Sequence, residues 1–258
     1  MPHFAANLSL MFKERGFLER FEAAADAGFK AIEFLFPYDY SVEAIGERLS
    51  RQKLTQALFN LPPGDWSAGE RGLAALPDRF GELQDGVGKA LPYVAATGVR
   101  RLHLMAGNAD PNDPRAIEAY WRSVEWAARE VGKQGVDLVL EPINSRDMPK
   151  YFLNAFSFAE KVIRELNISN IKLQFDIYHR QIISGDVIMA LRRLMPIIGH
   201  IQTASVPGRN EPMTGELNDA LLFEELDRLG YSGFVGCEYN PKQGTAEGLG
   251  WFSPYAGR

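Results

Sequence analysis

Val136-Asp137-Leu138-Val139-Leu140-Glu141-Pro142 is the stretch whose reading decides the fold. It is apolar, rich in branched residues, bounded by Gly135 and Pro142, and too short for an ordinary helix. It therefore reads as a buried strand whose exit carries Glu141 out of the core. Three later runs have the same form and close on Asp176 (Ile171-Lys172-Leu173-Gln174-Phe175-Asp176), Gln202 (Ile197-Ile198-Gly199-His200-Ile201-Gln202) and Glu238 (Phe234-Val235-Gly236-Cys237-Glu238). The four closing residues are 35, 26 and 36 positions apart, about the length of one strand–helix–strand unit. Four neighbouring parallel strands are expected, with their C-terminal ends on a common rim.

The same grammar runs through the rest of the chain. Amphipathic helical spacing ends at Gly28, Gly98, Gly135 and Gly230, and each glycine is followed by a β-rich run. The expected strands are Phe4–Ser9, Ala31–Phe34, Thr55–Asn60, Arg101–Ala106, Val136–Glu141, Lys172–Asp176, Ile198–Gln202 and Phe234–Glu238. Eight β/α alternations in 258 residues predict an α/β fold, a (β/α)8 TIM barrel, as a single domain over residues 1–258. The turn-rich stretch Leu61–Gly72 reads as a rim loop. Only Lys242–Arg258 follow the last strand, so the final helix should be short or replaced by Trp251-Phe252-Ser253-Pro254-Tyr255. That aromatic tail should pack on the barrel or on a second copy of the chain, which makes a homo-oligomer a candidate assembly.

Composition narrows the function classes. The formal charge is −5 with no Lys/Arg run, which argues against nucleic acid or an anionic membrane as partner. No segment resembles a signal peptide or a transmembrane span, and the single cysteine, Cys237, suits a reducing cytoplasm. A cytoplasmic enzyme acting on a small molecule is the expectation.

Barrel function lives at the C-terminal strand ends. The residues closing the expected strands are Asn7 and Ser9, Glu33, Asn60, His103, Glu141, Asp176, Gln202 and Glu238. Three carboxylates and one amide oxygen without cysteine make a hard, oxygen-only donor set, suited to Mg²⁺ or Mn²⁺. Each acid could instead cap a loop or pair with an arginine, but carboxylates converging on one cavity repel unless a cation neutralises them. His179, three residues after Asp176, can hydrogen-bond a substrate oxygen. Arg209, in the Pro/Gly-held loop Val206-Pro207-Gly208-Arg209-Asn210-Glu211-Pro212, can receive a substrate carboxylate or pair with Glu211 or Glu216. His3 and His200 are expected to be structural, His200 pointing away from the barrel axis.

These motifs resemble the hydroxypyruvate isomerases, a family that includes the 2-oxo-tetronate isomerases within the xylose-isomerase-like TIM barrels. The resemblance is carried by the strand closing on Glu141-Pro142, Phe175-Asp176-Ile177-Tyr178-His179, His200-Ile201-Gln202 with the Arg209 loop, and Gly236-Cys237-Glu238-Tyr239-Asn240-Pro241 with Gly248-Leu249-Gly250-Trp251. It extends to Phe4–Ser9 and Glu33–Tyr38. It implies a divalent metal, Mg²⁺ or Mn²⁺, held by Glu141, Asp176, Gln202 and Glu238, with Glu141 and Glu238 as proton donor and acceptor. It also implies an aldose–ketose isomerisation of a small 2-oxo-3-hydroxy acid through an enediolate. Related ketose 3-epimerases carry His where Gln202 stands, which sets the epimerase reading second. An apurinic endonuclease of this barrel type would need a His-rich multi-zinc site, and a non-catalytic sugar-acid binding protein is the rival from another class.

Overall fold

The computed structural model describes residues 1–257, leaving Arg258 of the expected tail outside the described residues. Eight parallel strands close into one barrel in chain order, the first pairing the last. They are β1 (His3–Asn7), β2 (Ala31–Glu33), β3 (Thr55–Asn60), β4 (Arg101–His103), β5 (Asp137–Leu140), β6 (Ile171–Asp176), β7 (Ile198–Thr203) and β8 (Phe234–Cys237). The helices are α1 (Arg20–Asp26), α2 (Val42–Gln52), α3 (Phe80–Thr97), α4 (Pro114–Gly132), α5 (Phe156–Leu166), α6 (Ile177–Ile183), α7 (Val187–Leu194) and α8 (Asp219–Arg228). The barrel expectation holds. Strand limits differ from it by up to three residues, because parallel pairing stops where chains splay towards the rim loops.

Local chemistry sets the element ends. Ser41 caps α2 by accepting from the Ala44 N–H at 3.2 Å, and Asp113 caps α4 by accepting from the Arg115 N–H at 2.9 Å, with Pro114 at the first helical position. The glycines read as helix stops, Gly28, Gly98, Gly135 and Gly230, all have positive φ, between 65° and 96°. The rim loop after β3 is anchored by Gly72, whose N–H bonds the Pro63 carbonyl at 2.8 Å and whose φ of 114° brings it against the Met105 backbone.

The last crossover is truncated as expected: a 3-10 helix, Ala246–Phe252, stands where an outer helix would follow β8. Its aromatic rings pack on the chain's own barrel. Phe252 stacks on Phe29 at 4.1 Å, while Trp251 and Tyr255 meet Phe4 edge-on at 5.1 and 4.9 Å. No helix among the described residues is long and apolar enough to cross a membrane.

Side-chain alternation along the strands lines the barrel interior with polar groups. Glu33 is buried on β2, Gln174 and Asp176 on β6, His200 and Gln202 on β7. The small Ala5, Ala31 and Ala57 form a separate apolar cluster below them. His200 departs from expectation: it lies two residues before Gln202, so period-two alternation turns both inwards, and it is fully buried in the lumen.

Candidate active site

Glu141 leaves β5 immediately before Pro142, Asp176 ends β6, and Glu238 follows β8. Their positions on strands five, six and eight bring the carboxylates over one end of the barrel. Ligand-type atoms of Glu141, Asp176, His179 and Glu238 all lie within 4.8 Å of one another. Asp176 also caps α6, accepting from the Tyr178 N–H at 2.8 Å through Oδ1. That bond directs its other oxygen to the cluster, and the first turn of α6 delivers His179 beside it.

Burial makes the cluster electrostatically costly. Burial first, then Glu238 and Asp176, pushes the Glu141 carboxyl well above the usual carboxylate range, against the pull of Arg209. Burial raises Glu238 to about 8 and Asp176 to about 6, in both cases despite the neighbouring Arg209. Burial alone would lower Arg209, but Glu238, Asp176, Glu141 and Asp147 hold it above its ordinary value. Glu141 Oε1 and Asp176 Oδ2 are buried with no hydrogen-bond donor among the described residues. Unpartnered hard oxygens facing like charges are the arrangement a divalent cation completes, and the donor set fits Mg²⁺ or Mn²⁺.

His179 faces the centre as a donor. Its Nδ1 accepts from the Asn144 backbone N–H at 3.3 Å, a group that can only donate. The neutral ring therefore carries its proton on Nε2, which lies 3.6 Å from Asp176 Oδ2 and 3.9 Å from Glu141 Oε1. Burial, Arg209 and His103 hold the ring neutral, far below the usual histidine range. A protonated Nε2 does not ligate a metal, so geometry separates His179 from the three carboxylates. His103 sits 3.6 Å from Glu141 Oε2 and is pushed down to about 3 by burial and by His200.

Arg209 pairs with neither Glu211 nor Glu216. Its Nη2 bonds Glu238 Oε2 at 2.7 Å and approaches Asp176 at 3.6 Å, its Nη1 reaches Asp147 at 3.4 Å, and its guanidinium lies 5.0 Å over the Tyr178 ring. The loop places it there with φ of 52°, a left-handed conformation. One guanidinium thus offsets part of three carboxylates. Gln202 lies beside Asp176 in strand register. Its Nε2 donates to Glu33 Oε1 at 2.8 Å and its Oε1 accepts from Gln174 at 2.6 Å.

Sequence reasoning brought Glu141, Asp176, His179, Arg209 and Glu238 to the same place. It missed Asn144, which sets the His179 tautomer, and Asp147, which holds Arg209 and accepts from the Tyr178 hydroxyl at 3.2 Å. Both lie in the loop leaving the Glu141 strand, and that position was the available signal.

This closed barrel with an acidic C-terminal rim is of the xylose isomerase-like TIM-barrel class: residues 21–255 match that family model, and the chain belongs to the family. Within it the chain belongs with the hydroxypyruvate and 2-oxo-tetronate isomerases and is an isomerase. It is 52% identical to a 2-oxo-tetronate isomerase of Cupriavidus necator, with 100% of both chains covered. It is 41% identical to the hydroxypyruvate isomerase of Escherichia coli, with 99% and 100% covered. A crystal structure described as an AP endonuclease, family 2, from Brucella melitensis is 46% identical and superposes with a TM-score of 0.97 over 99% of this chain and 100% of that one.

Proposed function

We propose that the chain interconverts a small 2-oxo-3-hydroxy acid with its 2-hydroxy-3-oxo isomer, such as hydroxypyruvate with 2-hydroxy-3-oxopropanoate or the four-carbon analogue. One observation carries the reading: two glutamates, Glu141 and Glu238, share one centre with Asp176 and His179, their ligand-type atoms all lying within 4.8 Å of one another. Two carboxylates on one centre can serve as base and acid at adjacent carbons. The names of the Cupriavidus and Escherichia relatives supply the substrate class.

One glutamate removes a proton from C3 and leaves an enediolate, and the other returns a proton to C2. Meanwhile the C3 hydroxyl loses its proton and the C2 oxygen gains one. The His179 Nε2–H donates to developing oxygen charge, with Asn144 fixing the ring. Arg209 offers its guanidinium to the substrate carboxylate, for which Asp147 and Glu238 are the resident competitors. Glu141, Asp176, Gln202 and Glu238 would hold a divalent ion, which when bound supplies Lewis acidity at adjacent carbonyl and hydroxyl oxygens.

The oxygen-rich centre and the net charge of −5 weigh against nuclease chemistry of the kind named for the Brucella structure. The test is isomerisation of hydroxypyruvate and a four-carbon 2-oxo acid by metal-depleted protein, before and after adding Mg²⁺ or Mn²⁺. Turnover of at least one acid on metal addition is expected. Inactivity on both acids together with 3-epimerisation of a free ketose would overturn the reading.

A further inference from the structure

We infer that Glu33 is a positioning residue that sets which end of the Gln202 side-chain amide is available to a bound cation. The inference rests on the proposed function, in which Gln202 contributes a ligand oxygen.

An amide end is nearly symmetric in shape but not in chemistry: oxygen can ligate a cation, and NH2 cannot. Something must therefore fix its rotation about the last side-chain bond. On β7, Gln202 has two polar neighbours in the lumen. Glu33 Oε1 lies 2.8 Å from Nε2, and Gln174 Nε2 lies 2.6 Å from Oε1. Gln174 cannot decide the rotation, because its own amide could turn over as well. A carboxylate can decide it, since it only accepts. The NH2 of Gln202 is drawn to Glu33, and its oxygen is left on the β6 side, where Gln174 donates to it and where Asp176 is the strand-register partner of Gln202.

Glu33 is itself held for this purpose from three directions. Asn7 Nδ2 donates to Oε1 at 2.9 Å, Gln202 Nε2 donates to the same oxygen, and His200 Nε2 lies 2.7 Å from Oε2. A register shift between β2 and β3 falls at Ile32/Glu33. On the other side of β1, Gly236 on β8 leaves the space the carboxyl occupies, because a Cβ there would collide with the Glu33 carboxyl group. The side chain is fully buried and lies outside the carboxylate–His179 cluster. Its charge acts on Glu141, Asp176 and Glu238 through space, but its hydrogen bonds reach that cluster only through Gln202.

The decisive measurement is Mn²⁺ affinity by titration calorimetry, alongside thermal melts. Glu33→Gln keeps the shape but can present NH2 to Gln202, so the amide turns and affinity should fall about 10–100-fold. The double variant Glu33→Gln/Gln202→Glu restores an acceptor oxygen at 202 facing an NH2 at 33, and should recover most of the affinity. A role limited to holding Asn7 and His200 would not be rescued by a change at 202. Unchanged Mn²⁺ affinity in E33Q overturns this inference alone, whereas wild-type protein that binds no Mn²⁺ or Mg²⁺ overturns the ligand reading with it. If E33Q does not fold, the wild-type protein answers through NMR of the Gln202 side chain. Added Mg²⁺ should shift its carbonyl carbon while its NH2 protons stay slow to exchange, and NH2 protons released on Mg²⁺ binding would overturn the inference.

Discussion

Two sets of buried carboxylates lie in this barrel, on either side of Gln202. Glu33, inside the lumen, meets donors from Asn7, Gln202 and His200, so its acceptor capacity is used within the protein. Glu141, Asp176 and Glu238, at the rim, share one guanidinium and leave Glu141 Oε1 and Asp176 Oδ2 with no donor among the described residues. Glu33, Glu141 and Asp176 are all buried, and Glu238 is only slightly more exposed. Hydrogen-bond satisfaction differs between the two places, and that difference separates a carboxylate that supports structure from carboxylates free to take up a cation or a proton.

The largest test of the contrast is metal removal. Exhaustive chelation should abolish isomerisation and Mg²⁺ or Mn²⁺ should restore it, read in a coupled assay on hydroxypyruvate. The melting temperature of the chelated protein should fall, because a cation held by the folded site stabilises it by mass action and its removal leaves the rim carboxylates facing one another. Full activity in metal-free protein would remove the distinction between the two sets.

Next in size are Glu141→Gln and Glu238→Gln. Each keeps an oxygen but loses the proton-exchanging group, so turnover should drop by ~10² or more. Metal content measured on the same samples separates proton transfer from ligation. In the metal-free state either variant should melt higher than the parent, since one of three mutually repelling carboxylates is gone.

Glu33→Ala inverts that pattern. It strands the buried donors of Asn7, Gln202 and His200, at about 1–3 kcal/mol for each unmade bond, so chemical denaturation should show a stability loss several-fold beyond any rim substitution. A Glu33→Ala protein as stable as the parent would mean those donors find other partners.

Arg209→Ala should weaken substrate binding by about 1.5–3 kcal/mol, the worth of a charge-assisted contact, and Arg209→Lys should recover little of it. An equal loss on hydroxypyruvate and on uncharged glyceraldehyde would confine Arg209 to neutralising Glu238 and Asp176.

The smallest effect is the pH dependence of metal-free stability. Asp176 and Glu238 carry raised values in the fold, about 6 and about 8, so their protonated forms are favoured there over the unfolded chain. The sign follows: stability is fullest below the ordinary carboxylate range near pH 4 and declines as pH rises towards 8. Saturating Mg²⁺ should flatten that slope. A metal-free melting temperature that rises from pH 5 to pH 8 would contradict the raised values.

The sequence by itself determined the barrel and most of its rim. A parallel strand buried on both faces must be a short apolar run, and its polar exit must lie at the C-terminal end, so Glu141, Asp176 and Glu238 were legible from period and punctuation alone. Tertiary structure decided what each group meets. The two-residue spacing to Gln202 already implied that His200 turns inwards, but only the fold brings it to Glu33. Arg209 finds Glu238, Asp176 and Asp147 and leaves Glu211 and Glu216, because barrel closure brings the loops after β5, β7 and β8 together while sequence distance favours near neighbours. The His179 tautomer depends on one backbone N–H 35 residues away. Hydrogen-bond partnership across a closed sheet is a property of three-dimensional contact, and it separates Glu33 from the rim carboxylates, all of which read alike along the chain.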